Sequence, residues 1–390
     1  MKKTLILILL LTGCTTFRSI LPRPISDILR PASAAQKIRV AIVLAKPSAM
    51  ISVVSPGIFF DKINSKKIQR FSTISRAVLK AKNGTIFING YDTKSSHIIV
   101  LPDMPDSIRV QDKYGEFITY HGRLDVIASH NSLITLVNTL PLDEYIMGVV
   151  PRETFPSWPQ EALRAQAVAA RTFAFFHIQN ANGKEYDIVS PTHQLYGGAS
   201  AETPKTTKAV LDTHGEILTY NGKPLCTYFY TCCGGRTEEA RNIFPSIKEY
   251  PHAVESPYCK GTKHYSWSYS IAFNNCARKL KNAGKSLNGK ISSIKIIERF
   301  KSGRVAKIKF SSKYKSVVLT GEECRRIIGY NNIRSTLFKI KMKNGRLLFV
   351  GRGWGHGVGL CQWCSKVMAD KGFDYEQILK HFYPGSELIR

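Results

Sequence analysis

Between residues 38 and 140, apolar and polar positions alternate in short runs. IRVAIVLA (38–45), GTIFING (84–90), SHIIVL (96–101), SIRV (107–110), GEFITYHGRLDVIA (115–128) and LITLVNTL (133–140) are rich in β-branched residues and are separated by Gly, Asn, Asp or Pro. Such runs, bounded by turn residues, predict strands. The period then changes. In SWPQEALRAQAVAARTFAFFHIQNANG (157–183), Leu163, Gln166, Ala167, Ala170 and Ala174 recur at helical spacing, which predicts one long helix. Ser157 is placed to cap it, Pro159 suits the first turn, Gln160 completes a capping box, and Asn182-Gly183 ends it. Its inner face is mostly alanine, so it packs close to its neighbours. Residues 184–245 mix loop and strand. Strand patterns return over 265–350, interrupted by a helix at TGEECRRIIG (320–329). CQWCSKVMADKG (361–372) and DYEQILKHFYPG (374–385) predict two more helices, the second capped by Asp374 and Gln377 and stopped by Pro384-Gly385. The expected class is α+β, a β-rich mixed fold around one long alanine-rich helix. Its parts are a β-rich segment over 38–140, a core over 141–245 and a strand-rich segment over 246–390.

Ahead of this body, MKKTLILILLLTGC places two lysines before an unbroken apolar run and small residues before Cys14. That is the outline of a secretory signal, and the run is short for a membrane span. The small residues before Cys14 resemble the lipobox of bacterial lipoproteins, in which the cysteine becomes the lipidated N-terminus. The expectation is an exported, envelope-located chain, with signal 1–14, a proline-bearing linker 15–37, and a lipid anchor on the periplasmic or cell-surface side. The formal net charge is +28, which favours polyanionic partners. No RNA-binding or zinc-finger signature accompanies the charge, so nucleic acid is not among the expected partners.

The segment GRGWGHGVGLCQWC (351–364) sets glycine at every second position from Gly351 to Gly359. As an extended strand it would show one bare face and one face bearing Arg352, Trp354, His356 and Val358. A histidine and an indole on one face suit a carbohydrate platform; a tightly packed core strand is the alternative. Glu153 lies in GVVPRETFPSWPQEA between Pro151 and Pro156, where the prolines predict a loop. Phe155 and Trp158 are near, and an apolar wall raises a carboxyl's pKa and keeps it protonated. Gln166 and Arg171 are polar residues within the alanine-rich helix, placed either for internal hydrogen bonds or for ligand. His193 in SPTHQLYGG reads as a hydrogen-bonded surface histidine, with zinc conceivable from nearby cysteines. Gly234 and Gly235 in TCCGGRTEEA read as a turn or a ligand loop.

Three ordered blocks together carry a resemblance. LPLDEYIMGVVPRETFPSWPQEALRAQAVAARTFA, YTCCGGRTEEARNIF followed by PHAVESPYC, and GRGWGHGVGLCQWCSKVMADKGFDYEQILKHFYPGSEL resemble the signature blocks of the stage II sporulation protein D (SpoIID/LytB) family, from about residue 38 to the C-terminus. The resemblance implies a peptidoglycan-active protein. Family enzymes are lytic transglycosylases that cleave between N-acetylmuramic acid and N-acetylglucosamine, and the sporulation protein prefers strands stripped of their peptides. The family glutamate maps onto Glu153 as the catalytic acid and base. Trp158, Gln166, Arg171, His193, Gly234, Gly235, Trp354, His356 and Gln362 are the expected substrate-binding residues. The amidase-enhancer branch implies the alternative, a non-catalytic protein that binds glycan or an N-acetylmuramoyl-L-alanine amidase. Division, sporulation and wall turnover all suit such a protein.

The chain also departs from the family pattern. CQWCS (361–365) and TCCGG (231–235) place cysteines where the family has small or polar residues, and PRETFPSW departs after the glutamate. Besides Cys14 there are eight cysteines: Cys226, Cys232, Cys233, Cys259, Cys276, Cys324, Cys361 and Cys364. Cys232, Cys233, Cys361 and Cys364 are expected to converge, as disulfides or as a metal site not general to the family. No cofactor is expected as a rule. Because some family members bind zinc through histidine and cysteine, the resemblance admits zinc at His193, Cys232 and Cys233.

Overall fold

A computed structural model describes residues 36–390. The signal, Cys14 and all but the end of the linker lie outside the described residues. The β-rich segment forms two antiparallel sheets that share one core. The first takes the order Lys37–Lys46, Ile134–Pro141, Arg123–Ala128, His97–Pro102, Gly57–Asp61, Lys66–Phe71, and the short strand Ile188–Val189 joins its open edge in parallel beside Lys37–Lys46. The second runs Phe117–Tyr120, Ile108–Gln111, Ser48–Val53, Ile74–Lys82, Thr85–Ile88, Tyr91–Asp92. Ile38, Val40, Leu124, Val126 and Leu136 from one sheet meet Ile51, Val53, Leu79, Ile108 and Val110 from the other in a single buried cluster. Alternate residues serve it, as the period of two requires. The strands Ser48–Val53, Gly57–Asp61, Lys66–Phe71 and Ile74–Lys82 are additions to those the sequence pattern announced; in Lys66–Phe71 and the start of Ile74–Lys82 most residues are polar and exposed, so no alternation marks them.

From the end of the first sheet the chain passes directly into helix α1, Leu142–Glu153. Here the expected loop is corrected. Pro151 sits inside the last turn, where it lacks an N–H to donate backwards, yet the helix continues to Glu153. Thr154 closes it: its backbone N–H and its hydroxyl both donate to the Val150 carbonyl, at 3.0 and 2.7 Å. Helix α2, Gln160–Gln179, follows. Its N-cap is Pro159 and no side chain caps it, so the expected Ser157 cap is also corrected. Nearly every residue from Ala162 to Phe175 is buried. The alanines let α1, the helices Pro204–Asp212, Gln362–Asp370 and Tyr375–Phe382, and the strand Ile217–Tyr220 approach from different sides. Asp374 and Gln377 form the capping box expected of the last helix, and Thr320 and Glu323 form another for Gly321–Ile328.

Residues 266–352 hold a core of their own. Ser266–Ala272, Phe338–Lys343 and Arg346–Arg352 form one sheet, Ser293–Arg299, Val305–Ser311 and Ser316–Thr320 another, and Trp267, Phe310, Leu347 and Phe349 fill the space they enclose with two helices. The glycine segment is no extended strand beyond Arg352. Gly353, Gly355, Gly357 and Gly359 all take positive φ, and the chain bends at Gly355 and Gly359. At Gly359 a Cβ would lie 2.1 Å from the Tyr228 carbonyl oxygen, and at Gly353 2.6 Å from that of Cys232. The alternation serves a left-handed backbone threaded against two other segments, not two faces of a strand.

Candidate active site

The end of α1 aims Glu153 toward the loop that follows the Ile188–Val189 strand. That loop is held from both sides. Asp187 pairs with Arg39 at 2.6 Å, Gln194 accepts from the Tyr145 hydroxyl at 3.0 Å and donates to the Ala170 carbonyl at 3.2 Å, and the Tyr196 hydroxyl donates to Asn138 at 2.9 Å. Gln194 and Tyr196 are buried while Leu195 between them is exposed. The anchored loop points the Leu195 backbone N–H at Glu153 Oε1, 2.7 Å away.

Glu153 remains half-buried, with part of its surface open. Burial of the carboxyl raises its pKa to about 7; the Leu195 N–H and the charge of Arg152 pull the other way and are outweighed. The loss of water around the charged form is the dominant cause. At neutral pH this acid divides between protonated and ionised forms, as one group serving in turn as acid and base requires. With Oε1 taken up by Leu195, a proton resides on Oε2.

Beside it stands a row of rings. Phe155 and Trp158 lie 5.6 Å apart, Trp158 and Trp363 5.4 Å, Trp363 and His264 5.3 Å, His264 and Trp354 5.0 Å between ring centres. The Lys263 ammonium sits 4.9 Å from the Phe155 ring and 5.4 Å from Trp363, and the Arg334 guanidinium 4.6 Å from Trp354. All but Trp158 keep open surface. Gln362 joins the row to the acid: its side-chain N–H donates to the Glu153 carbonyl at 3.0 Å and to Gln166 at 3.4 Å. Flat apolar faces edged by cations suit sugar rings carrying anionic substituents.

Several expected substrate contacts take other places. Arg171 is fully buried, and its guanidinium donates to Asp143 at 2.6 Å and to the Val210 and Glu216 carbonyls at 3.0 and 3.3 Å. It ties α1, α2 and the segment after Pro204–Asp212 together and is corrected to a structural role. Gln166 and Trp158, 1% and 5% exposed, lie beneath Gln362 and Trp363 and support them rather than meeting a ligand. His356 is corrected as well. Its Nε2 donates to the Phe229 carbonyl at 3.1 Å and its Nδ1 accepts the Val358 N–H at 3.0 Å, leaving neither nitrogen for a sugar. Burial pushes its pKa down to about 3, so the ring is neutral. Gly234 and Gly235 form the turn around Cys233, with Gly234 packed against Arg352 and Gly353. His193 is exposed, turns its Nδ1 to the Val189 backbone and lies 4.8 Å from the His177 ring. Among the described residues it joins no cysteine, which corrects the His193–Cys232–Cys233 zinc set. Among the described residues the ligand-type side chains that converge are Cys233, Cys259, Cys361 and Cys364.

Sequence reasoning missed the Leu195 N–H, Trp363, Lys263 and His264. Only Trp363 carried a signal, as an aromatic beside Gln362 in the last block. A surface cavity of about 680 Å³ bordered by Arg299, Leu337, Val350 and Arg352 has neither Glu153 nor any of the five rings in its lining. That cavity and the acid therefore stand in different places, and the ionisable acid decides for the row of rings.

Comparison with known proteins agrees with the geometry. The model of a family described as stage II sporulation protein matches residues 130–220, and that of a domain of unknown function matches residues 248–359. An uncharacterized protein of Brachyspira hyodysenteriae is 37% identical over 274 residues, covering 70% of this chain and 73% of that protein. Stage II sporulation protein D of Bacillus subtilis is 32% identical over 268 residues, 65% of this chain and 75% of the relative. The amidase enhancer of the same organism is 30% identical over 288 residues, 62% of this chain and 40% of the relative. The Glu153 helix end, the loop at Leu195 and the whole of α2 fall within the matched family segment, and the chain belongs to the stage II sporulation protein D family.

Proposed function

We propose that this chain acts on the bacterial cell wall as an exported, lipid-anchored lytic transglycosylase, with Glu153 as its single acid and base. The observation that carries the reading is the Glu153 carboxyl, poised near neutrality by burial and bound by one backbone donor. Hydrolytic glycosidases place a second carboxylate across the scissile bond; an internal nucleophile removes that need. Glu153 Oε2–H protonates the glycosidic oxygen as the bond to the muramic anomeric carbon breaks. The resulting carboxylate, steadied by the Leu195 N–H, takes the proton of the muramic 6-hydroxyl. That oxygen closes on the anomeric carbon to leave a 1,6-anhydro ring. No water is consumed, and the nucleophile is already part of the substrate, which favours attack by proximity. The aromatic row with Lys263 and Arg334 supports binding of a glycan bearing carboxylates, and the net charge of +28 supports attraction to an anionic wall.

The test is incubation of the chain with intact and with peptide-stripped glycan, followed by mass analysis for 1,6-anhydro ends. Products from the unaltered chain and their loss in Glu153→Gln are expected. The 30% identity to an amidase enhancer favours a second reading: absence of anhydro ends together with faster cleavage by an added N-acetylmuramoyl-L-alanine amidase would replace the first.

A further inference from the structure

We propose that Cys233, Cys259, Cys361 and Cys364 hold one zinc ion as a buried tetrathiolate that clasps the central and C-terminal blocks. The four Sγ atoms all lie within 4.8 Å of one another, with Cys233 3.4 Å from Cys259 and 3.5 Å from Cys364. Zinc–sulfur bonds of about 2.3 Å in a tetrahedron put sulfurs about 3.8 Å apart, close to this spacing. Bonded disulfide sulfurs lie at about 2.05 Å, and all four thiols are free. An iron–sulfur cubane would stand between its thiolates and spread them further than one ion does.

The surroundings are built for thiolates. The backbone N–H of Gly235 points at Cys233 Sγ from 3.3 Å, and those of Cys233 and Cys364 point at Cys361 Sγ from 3.1 and 3.4 Å. Cys361 also caps the Gln362–Asp370 helix, whose N-terminus favours negative charge.

A second observation stands independently. Arg304 is fully buried, donates to the Cys233 and Arg236 carbonyls at 2.8 and 3.2 Å, and leaves Nε and Nη1 without a hydrogen-bond partner. Among the described residues no carboxylate pairs with it. A lone buried cation is costly. A zinc ion with four thiolates carries a net charge of −2, and Arg304 lies next to it as its counter-charge. Cys259 thus takes the place expected for Cys232, which is buried alongside.

The clasp has a consequence for the site. Gln362 and Trp363 are the two residues between Cys361 and Cys364, so the ion fixes the start of the helix that carries Gln362 to the Glu153 carbonyl. The inference concerns metal and thiols alone and stands whether Glu153 cleaves glycan or not. Full-length chain purified without added metal is expected to carry one zinc per chain by elemental analysis. Cys364→Ser and Cys259→Ser should lose it, and Cys276→Ser, in a separate core, should keep it. Should the ligand variants fail to fold, cobalt(II) exchanged into the unaltered chain should give the intense visible bands and sulfur-to-metal charge transfer of a tetrahedral thiolate site. Alkylation in denaturant with chelator and no reductant should label all four cysteines. A disulfide between any two of them, iron in place of zinc, or a cobalt spectrum lacking thiolate bands would overturn the assignment.

Discussion

Glu153 and His356 stand in blocks that the sequence marks equally, and burial drives both toward their neutral forms, to about 7 and about 3 respectively. Their surroundings differ in what is left over. Glu153 spends one oxygen on the Leu195 N–H and keeps the other, on a half-open surface. His356 has both nitrogens bound by backbone, between the Phe229 carbonyl and the Val358 N–H. A shifted pKa therefore does not separate chemistry from architecture; an unspent atom facing solvent does.

The comparison breaks most readily at Glu153 itself. Glu153→Gln keeps the Leu195 bond and removes the proton, so anhydro-product formation should fall by roughly 10²–10⁴-fold with the melting temperature unchanged or raised. Retained activity would strip Glu153 of its distinction from His356. Arg171 extends the architectural side: Arg171→Ala leaves the Val210 and Glu216 carbonyls without their buried donor and Asp143 with His214 as its remaining partner, and should cost about 3–5 kcal/mol in denaturant unfolding.

Titration sharpens the contrast further. Glu153 releases its proton near 4.5 in the unfolded chain and about 7 in the folded one, so between these values only the folded chain holds it. Stability from this group is lost as pH rises from about 4.5 to about 7, by about 3 kcal/mol, and levels above. Comparing wild type with Glu153→Gln at pH 5 and pH 8 should show the variant gaining only at the higher pH. His356→Ala should cost about 1–3 kcal/mol by orphaning the Phe229 carbonyl and the Val358 N–H, while the folded fraction keeps its specific activity; activity lost without loss of stability would restore the sugar-platform idea. The smallest effect belongs to the ring row: Trp363→Ala should raise KM for glycan by up to about tenfold, near 1.4 kcal/mol, with kcat little changed.

Much of the fold was legible along the chain. Alternation announced most of the strands that form the first sheet, the alanine-rich period announced α2, and Asp374 with Gln377 announced the last cap, because each signal spans neighbouring residues. Glu153 was legible through its block. The helix that carries it was not, since Pro151 argues locally against a helix and only packing of α1 on α2 overrides it. The glycines declared themselves but not their reason, which is a left-handed path against Tyr228 and Cys232 from more than a hundred residues earlier. What the sequence determined by itself was the set of elements, the block that holds the acid and the supply of cysteines. Which thiols meet, which backbone N–H faces the carboxyl, and which polar side chains have atoms to spare were decided only by tertiary structure. These depend on contacts between segments distant in sequence, and no local period records such contacts.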